Sequence, residues 1–160
     1  MKQILATVAV FTLVACSGAG AGEGGTDDAD DVTAPSPITA EDVTSGLVEA
    51  GLPLTDIEVF TAESDPNNMM GRPGGYASKV NFMDSRHSAE SEMSRESTIE
   101  VFEKEADATA RREYVEEVTR GTPFLTQYIY QQGGIVLRLD RSLLPDEAQE
   151  YEAALSELSR

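Results

Sequence analysis

The chain has 160 residues, 29 of them acidic and 12 basic, for a formal charge of −17 with histidine neutral. That length fits one domain plus a linker. No segment gathers enough Lys or Arg to neutralise a phosphate backbone, which sets nucleic acid aside as a partner, and the same acidity opposes adhesion of the protein surface to anionic lipid headgroups.

Lys2 is the one positive charge before an apolar-leaning run from Ile4 to Ala15 that stops at Cys16. A charged start, a short hydrophobic segment and small residues at the cut mark a secretory signal, and about twelve apolar residues are too few to span a bilayer. Cys16 is the only cysteine and therefore has no internal disulfide partner; an unpaired thiol in an exported protein is otherwise a liability. Leu13-Val14-Ala15-Cys16 resembles the bacterial lipoprotein lipobox. The resemblance implies removal of residues 1–15 as a signal peptide, attachment of lipid, palmitate included, to Cys16, and anchoring on the extracytoplasmic face of the cell membrane. The competing reading is an ordinary signal peptide with a cysteine near the cut. Losing Lys2 with the leader leaves 11 basic and 29 acidic side chains, a charge of −18. Two or more acyl chains hold a protein firmly, and the acidic domain itself should be repelled by the membrane.

Residues 16–38 read as a flexible tether: a glycine-rich stretch to Thr26, then Asp27-Asp28-Ala29-Asp30-Asp31, closed by Pro35 and Pro37. About 22 residues of such chain have an rms reach near 25 Å. Gly20-x-Gly22-x-x-Gly25 matches a dinucleotide fingerprint only as a string, because no strand precedes it and no helix follows directly. The Asp27–31 run lacks the alternation, glycine turn and distal glutamate of a calcium loop, and reads as a solvated charge run.

The folded domain spans residues 39–160. Thr39-Ala40-Glu41-Asp42 begins a first helix with a capping box, Val43, Leu47 and Ala50 fall at helical spacing, and Gly51 and Pro53 stop it. Residues 56–61 alternate, with Ile57, Val59 and Thr61 on one side, and residues 78–82 and 98–102 repeat the strand pattern. A second helix follows over residues 104–120, with Ala106, Ala110, Val115 and Val118 buried and surface pairs Arg111 to Asp107 and Arg112 to Glu116. Residues 127–130 and 135–139 form a hairpin around Gln131-Gln132-Gly133-Gly134, and a last amphipathic helix opens at Pro145 and buries Ala148, Tyr151, Leu155 and Leu158. The order predicts an α+β fold, a mostly antiparallel sheet of about five strands with three helices packed on one face.

Residues 62–76 are long for a link between neighbouring strands. Asp65-Pro66-Asn67-Asn68 reads as an N-cap with proline at the first helical position, starting one helical turn ended by Gly71. Arg72 and Tyr76 flank a glycine turn, where a guanidinium and a ring can hold an anionic or planar ligand. The structural alternative is that Arg72 pairs with a local acid and Tyr76 caps the core. Asp65, Asn67, Arg72 and Tyr76, with Tyr128 and Tyr130 on the hairpin, are the candidate binding residues.

The run Asp65-Pro66-Asn67 through Gly71-Arg72-Pro73-Gly74-Gly75-Tyr76-Ala77-Ser78-Lys79-Val80, with Val101-Phe102 and Leu137-Arg138-Leu139, resembles a family of uncharacterised lipoproteins from actinobacteria. The likeness runs from about Thr39 to Leu155. It implies location and fold, with no established activity.

Residues 84–97 hold five serines and the only histidine, His87, but no Gly-x-Ser-x-Gly elbow, so a catalytic triad is not indicated. One histidine and no cysteine beyond Cys16 do not make a zinc site. The expectation is a non-enzymatic domain, without cofactor or metal, that binds another exported protein or a cell-wall component. A small-ligand carrier or sensor accessory, and a hydrolase using paired carboxylates, are the alternatives.

Overall fold

Five short segments pair into one antiparallel sheet and three helices cover it, the α+β class that the pattern of elements predicts. The computed structural model describes residues 37–87, 96–122 and 125–159. The leader, Cys16, the Gly20 to Gly25 string, the Asp27–31 run and most of the serine-rich segment lie outside those residues. The elements are α1 (Ala40–Glu49), β1 (Leu54–Val59), β2 (Ser78–Asp84), β3 (Ser97–Val101), α2 (Glu105–Arg120), β4 (Tyr128–Gln132), β5 (Ile135–Leu139) and α3 (Pro145–Leu158), with a 3-10 turn at Ser85–His87. The strand order is β1-β2-β3-β5-β4, so α2 carries the chain from β3 to the far edge and β5 returns into the gap.

Local chemistry sets the helix ends. The Thr39 hydroxyl accepts from the Asp42 amide at 3.2 Å and the Asp42 carboxylate accepts from the Thr39 amide at 2.8 Å. The Thr39 hydroxyl also donates to the Asp42 carboxylate at 2.8 Å, and this bond together with that from the Thr39 amide holds the Asp42 carboxyl below its usual range. At the other end of α1, Gly51 takes φ 89°. Leu52 N–H then reaches Leu47 O at 3.1 Å and Gly51 N–H reaches Val48 O at 2.9 Å, a Schellman closure that buries Leu52. Ala50 is therefore the exposed cap and not part of the buried stripe. In α3 the Glu147 carboxylate accepts the Leu144 amide at 2.7 Å, and Pro145 occupies the first turn.

The helices do not share one face. Val80, Phe82, Ile99, Val101, Ile135, Leu137 and Leu139 pack with α1 and α3, through Val43, Leu47, Tyr151 and Leu155 among others. Strand neighbours point oppositely. Val136 accordingly lies on the other face, where it clusters with Ala108 of α2, Phe102 and Tyr76. The predicted stripe of α2 is corrected with it: Ala108 and Val115 are buried, whereas Ala106, Ala110 and Val118 are exposed. The reason is that this second face presents Lys79, Asn81, Thr98, Glu100 and Arg138 between its apolar residues. A helix laid on it turns toward the sheet the side that carries Arg111.

β1 departs from its predicted alternation. Its register against β2 shifts between Thr55 and Glu58, and Asp56 takes φ 49°. A bulge at an edge re-aims the side chains that follow it. Ile57 and Val59, expected inward, are 46% and 48% exposed. The hairpin is tighter than expected, because Gln131 and Gln132 continue β4 and only Gly133-Gly134 turn.

Gly134 is held by a close approach. Its carbonyl accepts Phe102 N–H at 2.8 Å, and a Cβ at this position would meet the Phe102 carbonyl oxygen at 2.5 Å. Gly134→Ala should destabilise the domain by about 1–3 kcal/mol in urea unfolding, since the obstacle is backbone. An unchanged midpoint would show that the turn can move away at no cost. Among the described residues no helix is long and apolar enough to cross a membrane.

Candidate functional site

The segment between β1 and β2 folds around one carboxylate. Asp65, 3% exposed, accepts the amides of Asn67 at 3.2 Å, Met69 at 2.8 Å and Met70 at 3.2 Å. It also accepts the Tyr76 hydroxyl at 2.6 Å, and Lys79 Nζ stands 3.5 Å away with its side chain almost wholly buried. Burial alone would raise the Asp65 carboxyl, but the Tyr76 hydroxyl and the three amides outweigh it and hold the group at about 2. The N-cap reading of Asp65 thus named the right acceptor with the wrong product. The chain makes successive turns instead of a helical turn, with Asn68 at φ 51°, Gly71 at φ 70° and Gly74 at φ 76°. Gly75 is required there because a Cβ would collide with the Met69 carbonyl.

This architecture decides what the candidate residues present. Tyr76 is fully buried, edge-on to Phe102 at 5.9 Å between ring centroids. Burial and the neighbouring Asp65 push its hydroxyl well above the usual phenol range. Its ring is a core element, as the structural alternative had it, and offers no open face for stacking. Asn67 donates to the Tyr76 hydroxyl at 3.3 Å. Arg72 is exposed and forms no ion pair among the described residues. It lines a shallow depression of about 220 Å³ with Lys104 and Asp107. Tyr128 and Tyr130 are half-buried against the core on the α1/α3 face, and Tyr128 donates to Leu143 O at 3.1 Å. Burial raises the Tyr130 hydroxyl above its usual range. The sheet therefore separates Asp65, Asn67 and Tyr76 from Tyr128 and Tyr130, and the six residues do not form one site.

Sequence reasoning missed a buried ionic cluster under α2. Glu100, with no exposure, accepts Arg111 Nε at 2.9 Å and Nη2 at 2.8 Å, and Arg138 Nη2 at 3.3 Å. Two cations on one carboxylate respond in opposite directions. For Arg111 burial is outweighed by the paired bonds and its pKa rises; for Arg138 burial dominates, Arg111 adds repulsion and the pKa falls. Arg138 Nε is buried without a hydrogen bond. The available signal was period two: Lys79, Asn81, Glu100 and Arg138 alternate with apolar neighbours on strands that helices cover from both sides.

Between the Asp65 loop and α2 lies an open groove of about 420 Å³, lined by Asn67, Met69, Gly74, Asp107, Ala110, Arg111 and Tyr114. Asp107 belongs to this groove and to the Arg72 depression. Its expected partner Arg111 is taken by Glu100, while Arg112 does reach Glu116 at 3.4 Å. Tyr114 is 61% exposed at the rim. Below α3, His87 Nε2 meets Glu147 Oε2 at 2.6 Å, and Arg86 binds Asp84 and Glu150, each at 2.7 Å. That network fastens the 3-10 turn to the helix. Among the described residues no group of three or more His, Cys, Asp and Glu side chains is placed to hold a metal ion. Comparison with protein-family models, curated proteins and solved structures finds no match.

Proposed function

We propose that this chain is an extracytoplasmic lipoprotein, acylated at Cys16 on the outer face of the cell membrane, whose domain is a non-enzymatic binding module for an exported protein or a cell-wall component. The observation that carries the binding role is the open groove between the Asp65 loop and α2, with its exposed tyrosine and a carboxylate that has no bonded partner among the described residues. The lipobox resemblance and the glycine-rich tether support the location, and the likeness to actinobacterial lipoproteins agrees with it.

Two observations favour this reading over its alternatives. A general acid needs a raised carboxyl. Each carboxyl whose shift is resolved, at Asp42, Asp65, Asp84 and Glu147, moves down. A carrier encloses most of its ligand. The groove beside α2 and a second one of about 490 Å³ near the hairpin turn, bounded by Ile38, Phe102 and Leu158, are both open to solvent.

Cys16→Ala is expected to abolish incorporation of labelled palmitate and to release the chain into the medium in soluble form. Membrane retention of the variant equal to that of the native chain would overturn the anchoring.

A further inference from the structure

We infer that the groove between the Asp65 loop and α2 receives a cationic side chain, arginine or lysine, presented by an exported partner protein. The inference deepens the binding reading above and rests on it.

The chemistry of the groove points one way. Asp107 lies on α2 and reaches across to the loop, its Oδ1 4.0 Å from where a Gly74 Cβ would stand. Its carboxylate makes no hydrogen bond or ion pair among the described residues. The two cations lining the neighbouring depression, Arg72 and Lys104, are not bonded to it either. Apart from Arg111, the remaining walls are apolar or neutral: Met69, Ala110, the Tyr114 ring and Asn67, whose amide nitrogen is committed to Tyr76 and whose oxygen is free among the described residues. A carboxylate, an aromatic face and an amide oxygen are what a guanidinium or ammonium group uses, by charge, by the ring quadrupole and by donated hydrogen bonds.

Arg111 also lines the groove, with its guanidinium carbon 5.9 Å from the Tyr114 ring centre. Two of its donor nitrogens are tied to Glu100, a carboxylate it shares with Arg138, and this bonding fixes the Arg111 side chain as a wall. At longer range the formal charge of −18 left after loss of the leader draws a cationic partner and repels an anionic one. A second copy of this chain would bring the same negative charge and is disfavoured on that ground.

The test uses the full acylated chain in mild detergent, labelled at the methionine methyls, and titrated with acetylated, amidated tripeptides. Gly-Arg-Gly should shift the Met69 methyl resonance with millimolar half-saturation, Gly-Lys-Gly more weakly, and Gly-Gln-Gly not at all. Asp107→Asn should weaken Gly-Arg-Gly binding about tenfold and Tyr114→Ala by about threefold, with both variants retaining the native methyl spectrum. Glu113→Gln removes one charge from the same helix outside the groove and should leave half-saturation within about twofold. Equal losses in Asp107→Asn and Glu113→Gln would reduce the effect to general attraction and overturn the site. So would a Met69 response to Gly-Glu-Gly stronger than to Gly-Arg-Gly, which would make Arg111 the ligand group for an anion. A silent titration with lipid labelling of Cys16 intact rejects the groove assignment alone, whereas loss of anchoring leaves a positive titration standing.

Discussion

Glu100→Ala is expected to destabilise the domain by about 3–5 kcal/mol in urea unfolding, enough to consume much of the stability of a domain this size. Arg111 and Arg138 would then face each other under α2 with their common counter-ion gone. Arg138 is the more exposed to this loss in energetic terms: its Nε already lacks a bond and burial already depresses its pKa. The companion variant replaces all three groups by apolar residues of similar volume, Glu100→Leu with Arg111→Met and Arg138→Met. Removing a buried ion pair whole is often neutral or stabilising, so the triple variant should recover most of the loss. A single variant that unfolds within about 1 kcal/mol of the native chain would mean that the two arginines turn out to water, and α2 would not be held as described.

The contrast between elements that the residues announced and those they did not follows the range of the forces. Thr39, Gly51 and Pro145 act on backbone groups within five positions, so helix starts and stops could be read along the chain. The strand segments could be read because alternation is a property of each segment alone. The face chosen by α2 depends on Arg111 finding Glu100, eleven positions earlier in the chain and on a different element. At the same time Asp107 offered an equally good partner one helical turn away. Nothing local distinguishes the two. The same holds for the outward turn of Ile57 and Val59, which comes from a register shift against β2 and leaves no mark on the alternation itself. Of the candidate site, Asp65 and Tyr76 were found because glycine and proline crowd around them. Their role differs from the one expected, since the carboxylate expected to meet a ligand is saturated by its own loop. Asp107 and Tyr114, which line the groove, lie in a helix whose pattern names them only as solvated surface.

Asp65→Asn is expected to cost about 3–5 kcal/mol and to change how stability depends on acid. The amide keeps one acceptor oxygen where the carboxylate offers two: Oδ1 to Tyr76 and Asn67, Oδ2 to Met69 and Met70. It also leaves Lys79 buried with no counter-charge beside the Phe60 ring, 4.3 Å from its centre. Adding Lys79→Met should recover part of the loss, because the stranded charge goes with it. The pH dependence carries a definite sign. The folded group titrates at about 2, below its ordinary value of 3.8. Its contribution is therefore fully present above about pH 4 and is lost as pH falls through 2, and a shift of this size amounts to about 2 kcal/mol. Asp84, held down by Arg86 and Tyr151 against the opposing effect of burial, loses its contribution in the same direction. The native chain will thus weaken in acid for two reasons, and the difference between native and Asp65→Asn unfolding curves isolates the first. That difference should shrink between pH 4 and pH 2. If it stays constant across the interval, Asp65 does not titrate as a stabilised carboxylate, and the loop is held by something other than the hub of bonds drawn to it.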